Sequence, residues 1–564
     1  MIVIWLAGLL ASTFALWRAG RRLRFCLHVA QLEGYKAGPY AAWMAARPFD
    51  VVFRISHGLG LVVLAGLWWG PWPGRTAAAV GLFSWAVAFA SSRRYRRDRP
   101  KKPIASTPRL IRLATTAAVL AALPVLAGLW MVLSGGPWTA IPTPFGGMTD
   151  VGGTVVPVWQ ATHPAAAWLA GLFVADLMAP IWVALAIFLN APLERLFHAR
   201  FKSMARARLA ARPDLIVVAI TGSYGKTSVK FAVAEMLGQR YNVLATPGSF
   251  NTPMGICKVI NEQLKPEHQV LVLEMGIRHP GDIAELCEIA RPHVAVITSI
   301  GVAHLESMGS MDAIAREKGS LLDFLLPGGT TVLNADDDRF AELKARAPGA
   351  VLSVSASGRA SADFRATDVS FSPDGTRFTV HAAAGGSEPL VTPLLGRHHV
   401  VNTLLGIAVA HALDIRLRPA AKAAERLRPV PHRLSLRSEH GVSILDDAFN
   451  SNPVGAAGAL EVLGQFKGRR FVITPGMVEL GAREAELNHE FGRQMASNAD
   501  EVWLVGPSRT RPIAEGLLAA GFSPEHLHVV TTLFEARDSV RRAANPGDVV
   551  LYENDLPDQY TEAV

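Results

Sequence analysis

The stretch TGSYGKTS (Thr221–Ser228) places two glycines, a lysine and a hydroxyl where the apolar run LIVVAIT (Leu215–Thr221) gives way to a helical pattern. Gly222 and Gly225 let backbone N–H groups approach phosphate oxygens, and a helix N-terminus adds a field that favours anions. Lys226 is then placed for the β- and γ-phosphates of a nucleotide, and Thr227 offers its hydroxyl to Mg²⁺. The spacing is shorter than the usual GxxxxGK[ST] loop, so the strand–loop–helix context carries the expectation of ATP binding. Ser228 completes the cofactor-binding set of Gly222, Gly225, Lys226 and Thr227.

Other chemistry-bearing stretches follow in order: LEMG (Leu273–Gly276), TSIGVAHLESMGS (Thr298–Ser310), IAREKGSLLDFL (Ile314–Leu325), NADDD (Asn334–Asp338), GRHHVVNTLLGIAVA (Gly396–Ala410), PHR (Pro431–Arg433) and DDAFNSNP (Asp446–Pro453). In this order and spacing the chain resembles the Mur ligase family over roughly Leu215–Leu551. The resemblance implies ATP-dependent, ADP-forming amide synthesis. A peptide carboxylate becomes an acyl phosphate, and an incoming amine displaces the phosphate. Two anions must meet in line, so cationic groups and Mg²⁺ are needed before any bond forms.

By that resemblance Thr227 and Glu274 hold one Mg²⁺, and His304 and Lys318 serve a second, with Lys318 carbamoylated into an oxygen-donor anion. Asn334 and Asn402 match nucleotide-contacting positions. Arg433 and Asp447 match residues that close over ATP from the C-terminal domain. Lys226, Lys318, His304, Arg433 and Asp447 form the implied catalytic set. GMVELG (Gly476–Gly481) and His489 match the surroundings of the incoming amine.

These residues need rigid elements. The continuous apolar runs VLVLEMG (Val270–Gly276), VAVITSI (Val294–Ile300) and TTVLNADD (Thr330–Asp337) alternate with helical stretches, which predicts a parallel sheet covered on both faces. A second α/β set begins after Pro429 with VSILDDAF, RRFVITPG, EVWLVGP and DVVLYEND. Residues 201–427 are thus expected to form a P-loop-type ATPase domain. Residues 428–564 are expected to form a Rossmann-like domain, joined by ERLRPVPHRLSLR (Glu425–Arg437).

Residues 1–200 read differently. Apolar runs at Met1–Trp17, Ile55–Trp72, Thr76–Ala90, Leu113–Leu133 and Pro164–Leu189 predict a helical membrane domain of about five spans. Basic stretches at RAGRRLR, SSRRYRRDRPKK and after Arg195, against a Lys/Arg-free loop at Ser134–His163, place the N-terminus outside and the catalytic domains in the cytoplasm. The expected location is the inner (cytoplasmic) membrane, multi-pass. Asp176, inside the fifth run, reads either as a functional carboxylate or as an inward-facing packing residue. Gln31–Met44 is amphipathic and suits the surface of the cytoplasmic leaflet.

The chain has 564 residues and a formal charge of +9, with a mean hydropathy of +0.24. Its basic residues flank apolar segments, which points to a membrane surface and not to nucleic acid. Three cysteines without CxxC spacing exclude a disulfide framework or zinc site.

The chain departs from the family pattern in three ways. The apolar bundle stands where relatives carry the UDP-sugar domain, so the peptide carboxylate is expected on a UDP-linked or a lipid-linked carrier. His399 stands where Asn is usual. GDVVLYENDLPDQY (Gly547–Tyr560) is acidic where relatives have a Lys-Gly-Ser turn. The expected partners are an amino-acid or dipeptide amine, that carboxylate, and the membrane. Other readings are a membrane ligase building a poly-γ-glutamate-like polymer, an ATP-driven transporter or flippase, and an inactive scaffold.

Overall fold

The computed structural model describes residues 2–46, 48, 51, 53, 57–58, 60–61, 104–134, 148–151, 154–157, 163–248, 250–359, 361–372, 375–449 and 451–555. The chain divides into two compact units, Met1–Phe197 and His198–Val564.

In the first unit the helices are Ile2–Leu32, Ala37–Ala46, Pro108–Ser134, His163–Leu177 and the start of Ala179–Ala210, with a hairpin of strands β1 (Met148–Val151) and β2 (Thr154–Pro157). The expected spans at Ile55–Trp72 and Thr76–Ala90 fall almost wholly outside the described residues. Among the described residues, Pro108–Leu133 and Ala179–Ala210 are long and apolar enough to cross a membrane. The outer face of the former exposes Val119, Leu123, Leu126, Trp130 and Leu133, the last to 76%. A helix this apolar on its outer face calls for apolar surroundings.

Three expectations for this unit change. The basic stretch after Trp17 is not a loop: it lies within the helix Ile2–Leu32. Arg18 and Arg22 are buried there, because Asp176, 3% exposed, requires cationic partners in an apolar bundle. Asp176 Oδ2 meets Arg18 Nε at 2.8 Å and His57 Nε2 at 2.9 Å. The fifth apolar run is two helices, divided at Met178 just before Pro180. Within Gln31–Met44 the helix Ala37–Ala46 buries Tyr40, whose hydroxyl donates to the Pro180 carbonyl at 3.2 Å.

The second unit is built on two sheets. The first contains β3 (Ile216–Thr221), β4 (Val243–Ala245), β5 (Val270–Glu274), β6 (Val294–Ile297), β7 (Thr330–Asn334), β8 (Ala350–Ser355), β9 (Phe364–Ser372), β10 (Gly375–Ala382) and β11 (Ser387–Thr392), in the order β11-β10-β9-β8-β7-β6-β3-β5-β4. It is parallel from β4 to β9 and antiparallel across β9–β10–β11. Both faces are covered, which explains the unbroken apolar runs. Val218 and Ile220 pack with Val229, Val233 and Leu404, while Val217 and Ala219 pack with Ile256, Ile260 and Leu286. Each such Val, Leu or Ile side chain contributes about 1.5–3 kcal/mol on burial.

The second sheet contains β12 (Ser435–Glu439), β13 (Val442–Asp447), β14 (Arg470–Thr474), β15 (Glu501–Val505), β16 (Leu527–Val530) and β17 (Val549–Glu553), in the order β12-β13-β17-β14-β15-β16. Only the β12–β13 pair is antiparallel. Part of the expected linker, Ser435–Arg437, is therefore the start of an edge strand. Cys26, Cys257 and Cys287 are all buried.

Candidate active site

The loop after β3 is shaped for an anion. Gly222 and Gly225 have φ of 147° and 77°, values that side chains rarely adopt. A Cβ on Gly222 would collide with Thr298 Oγ1, and one on Gly225 would lie 2.5 Å from Asn402 Oδ1. Gly225 caps the helix Lys226–Leu237, which begins with unsatisfied N–H groups at its positive end. Ser228 lies in that first turn.

Two lysines converge on this loop. Lys226 Nζ donates to the Gly222 carbonyl at 2.7 Å, and Lys318 Nζ, from the helix Met311–Gly319, donates to the same carbonyl at 3.0 Å. Burial, only partly offset by Glu274, lowers Lys226 to about 8. Burial and then the Lys226 charge hold Lys318 well below the ordinary lysine range. Lys226 keeps its charge more readily than Lys318, so the carbonyl has one ammonium and one amine of low basicity beside it.

Thr227 Oγ1 donates to Glu274 Oε2 at 3.0 Å, at the carboxyl end of β5. The same oxygen meets Lys230 Nζ at 3.1 Å, and Asn251 Nδ2 donates to Glu274 Oε1 at 3.1 Å. A hydroxyl and a carboxylate side by side are hard oxygen donors suited to Mg²⁺. His304 takes the left-handed conformation at φ 67°. Burial, with Lys318 and Lys226 nearby, lowers its pKa to about 4, so the imidazole is neutral with lone-pair capacity. Its Nδ1 lies 4.0 Å from Glu479 Oε2, within the GMVELG stretch. Among the described residues no three His, Cys, Asp or Glu side chains gather into a metal-holding group. A divalent ion here would therefore need oxygens from nucleotide phosphate or from a modified Lys318.

The other expected residues sit around this centre. Asn402 is buried against Gly225 in the helix Arg397–Ala412, with Nδ2 3.5 Å from His399 Nδ1. Asn334, at the end of β7, accepts the Asp336 N–H at 3.0 Å and so holds its own turn. Arg433 stacks on Phe449 at 4.0 Å and is electrostatically coupled to Asp447 and Glu274. Asp447 Oδ1 accepts the Leu434 N–H at 3.0 Å, and burial raises its pKa to about 6. Residues of the second sheet thus reach the phosphate loop of the first.

Lys230 is a residue that sequence reasoning missed. It is fully buried, four residues after Lys226, and also donates to the Gly248 carbonyl. The helical interval was the available signal. Of the acidic stretch Gly547–Tyr560, Val549–Glu553 is strand β17, as the α/β reading of DVVLYEND expects, and Glu553 is fully buried at its end.

The two sheets, with the glycine loop entering the first, define a nucleotide-dependent ligase class. The Mur ligase middle domain matches residues 220–410, and the Mur ligase glutamate ligase domain matches residues 432–552. The UDP-N-acetylmuramoyl-tripeptide–D-alanyl-D-alanine ligase of Escherichia coli K12 is 32% identical over 314 residues, covering 55% of this chain and 68% of the relative. Its Bacillus subtilis 168 counterpart is 30% identical over 342 residues, covering 60% and 72%. A crystal structure of MurF from Acinetobacter baumannii matches with a TM-score of 0.58 at 28% identity, over 64% of this chain and 78% of that one. MurF from Thermotoga maritima, solved in complex with ADP, matches with 0.57 at 27% identity over 64% and 80%.

The chain belongs to the Mur ligase family. It is an ATP-dependent, ADP-forming amide-bond ligase, and the transporter reading gives way to this.

Proposed function

We propose that this chain is a membrane-anchored ligase of peptidoglycan synthesis, joining an amino acid or dipeptide to the peptide carboxylate of a UDP-linked or lipid-linked muramoyl precursor. The observation that carries it is the convergence of Lys226 and Lys318 on the Gly222 carbonyl, beside the Thr227–Glu274 pair. Lys226 and the helix N-terminus behind it make a cradle for a triphosphate, with the Lys318 amine and hard oxygen donors beside it. Lys226 draws the transferring phosphoryl group toward the substrate carboxylate. One carboxylate oxygen bonds to phosphorus as the bond to the ADP oxygen breaks. The neutral amine nitrogen then bonds to the acyl carbon, phosphate leaves with the C–O electron pair, and the nitrogen gives up one proton to solvent.

Mg²⁺, when bound, would neutralise charge on the phosphates. Thr227 and Glu274 would hold one ion, and His304 with Lys318 a second. Lys318 fits the second role only as a carbamate. Its lowered basicity supports this, because only a neutral amine adds CO₂, releasing one proton. Asn402 and Asn334 would steady the nucleotide, and Arg433 and Asp447 would complete the site as the C-terminal domain (428–564) meets the central one (201–427).

The exposed apolar face of Pro108–Ser134 supports a membrane contact for the N-terminal domain (1–200), which would span several times and keep the catalytic domains at the inner face of the membrane. A lipid-linked carboxylate would then be confined to the enzyme's own plane, which raises its effective concentration. A second reading, a ligase building a poly-γ-glutamate-like polymer, shares the central site.

The test gives full-length protein in bilayers ATP, Mg²⁺, pools of amino acids and dipeptides, and UDP-linked or lipid-linked muramoyl peptides. Mass spectrometry should find one precursor carrying a new amide, with equimolar ADP. ADP release without any amide product would overturn the proposal.

A further inference from the structure

The phosphate loop carries a large aromatic residue between its two glycines. The ring of Tyr224 lies flat against the backbone of Gly301: a Cβ there would stand 2.4 Å from Tyr224 Cε2 and 2.8 Å from the hydroxyl oxygen. Gly301 has no positive φ, so space and not backbone conformation reserves the position for glycine. The Tyr224 hydroxyl oxygen accepts from the backbone at Ala303 and Val302. The neighbouring residues bind the same segment. The Ser223 N–H donates to the Ser299 carbonyl at 2.7 Å. The Ser223 hydroxyl donates to the Gly301 carbonyl at 3.0 Å and accepts the Gly301 N–H at 2.8 Å. The Thr298 hydroxyl donates to the Tyr224 carbonyl.

The segment so held, Gly301 to His304, ends at the expected metal-binding imidazole. Among the described residues that imidazole makes no hydrogen bond; Glu479 Oε2, at 4.0 Å from Nδ1, is its ion-pair neighbour. Its place is therefore set by the backbone it stands on. On the side away from Tyr224, Val302 packs against the core of the second sheet that contains Met477 and Leu480. The segment is thus clasped between the phosphate loop and the C-terminal domain, and the Tyr224 ring fills the contact on the nucleotide side.

We propose that Tyr224 is a positioning residue for His304: its ring sets where the 301–304 backbone lies over the phosphate loop, and so where the imidazole stands. The proposal rests on the His304 role given above and deepens it. Removing the ring leaves a void into which the segment can sink, and a Cβ on Gly301 pushes the segment the other way. Either shift misplaces the imidazole while Gly222, Gly225 and Lys226 keep their places. Nucleotide binding then survives and the chemical step suffers.

The experiment uses full-length protein in detergent and the variants Tyr224→Ala, Tyr224→Phe, Gly301→Ala and the double variant Tyr224→Ala/Gly301→Ala. Two readings need no turnover: amide hydrogen exchange, and the Kd of ADP without Mg²⁺. In Tyr224→Ala the 302–304 amides should exchange at least about 10-fold faster, with β3 and β5 unchanged and the ADP Kd within about 3-fold. Turnover with the substrate pools above should fall about 10- to 100-fold while the KM for ATP stays within about 3-fold. Tyr224→Phe, which keeps the ring, should retain turnover within about 3-fold. Gly301→Ala should lose turnover by itself and lose little more once Tyr224 is already Ala, because the atoms it strikes are gone. Tyr224→Ala only makes space, and it carries the test should the crowded Gly301→Ala not fold. Unchanged exchange at 302–304 in Tyr224→Ala overturns the proposal. So does an ADP affinity that falls in step with turnover, a Phe variant as impaired as the Ala variant, or additive losses in the double variant. Amide formation by the unmodified protein is scored separately. If it fails, the ligase reading falls, and exchange with ADP binding still decides the role of Tyr224.

Discussion

Lys226 and Lys318 donate to one oxygen, the carbonyl of Gly222, at 2.7 and 3.0 Å. They come from helices far apart in the chain, Lys318 lying 96 positions beyond Gly222. Burial and then the Lys226 charge lower the proton affinity of Lys318, and an anion arriving between them would offset that charge.

Lys226→Ala should therefore reduce ADP release by at least about 100-fold, the scale of losing one preorganised charge partner, with little change in melting temperature. Lys318→Ala should lose comparable activity and regain part of it with short carboxylates such as formate or acetate, which can stand in for a carbamate. A coupled ADP assay checks both. Full turnover in either variant would remove that lysine's role.

Asp447 gives a pH signature. Its pKa is raised by burial to about 6 from an ordinary 3.8, so the folded chain holds this proton more tightly than the unfolded chain. Its contribution to stability is present below pH 3.8 and is lost as pH rises through about 6. Asp447→Asn should thus raise the melting temperature at pH 7.5 and flatten the change between pH 4 and 6, while lowering turnover. The Leu434 N–H keeps an acceptor in the Asn side chain, so the comparison isolates charge. Thermal denaturation across that range decides it; a parallel pH profile in the variant would refute the assignment.

Lys230 and Glu274 form a buried pair 3.1 Å apart. Lys230→Met leaves Glu274 charged among its remaining donors and should cost about 3–5 kcal/mol. Adding Glu274→Gln should recover a large part of that loss, since the stranded charge goes with it. A double-mutant cycle in denaturant measures the coupling, and simple additivity would show that the pair is not acting as one.

The N-terminal unit should keep the full-length chain in the membrane fraction through an alkaline carbonate wash. High salt should not release it either, because apolar area and not surface charge would hold it. Release by carbonate would exclude spanning helices.

The sequence made the parallel strands legible because both faces of each are buried: Val217 to Ile220 alternate between two cores and leave no polar position to confuse the pattern. The loop was legible because its glycines answer to backbone geometry. What escaped notice depended on tertiary partners. Strand β9 alternates buried and open residues and lies in a region of ordinary composition. Lys230 carries no signal of burial in the sequence, and its partner Glu274 is 44 positions away. Arg18 and Arg22 looked like a charged loop until Asp176 gave them a reason to turn inward.

The three native thiols have a practical consequence. Cys257 and Cys287 are pushed by burial up to about 11 and about 12, and Cys26 is enclosed within the first unit. At neutral pH these sulfurs are protonated or shielded and react slowly with alkylating reagents. A single cysteine introduced at an exposed position would therefore be the fast-reacting one. Membrane-impermeant maleimides applied to sealed vesicles would then report which side each segment faces, without first removing any native residue.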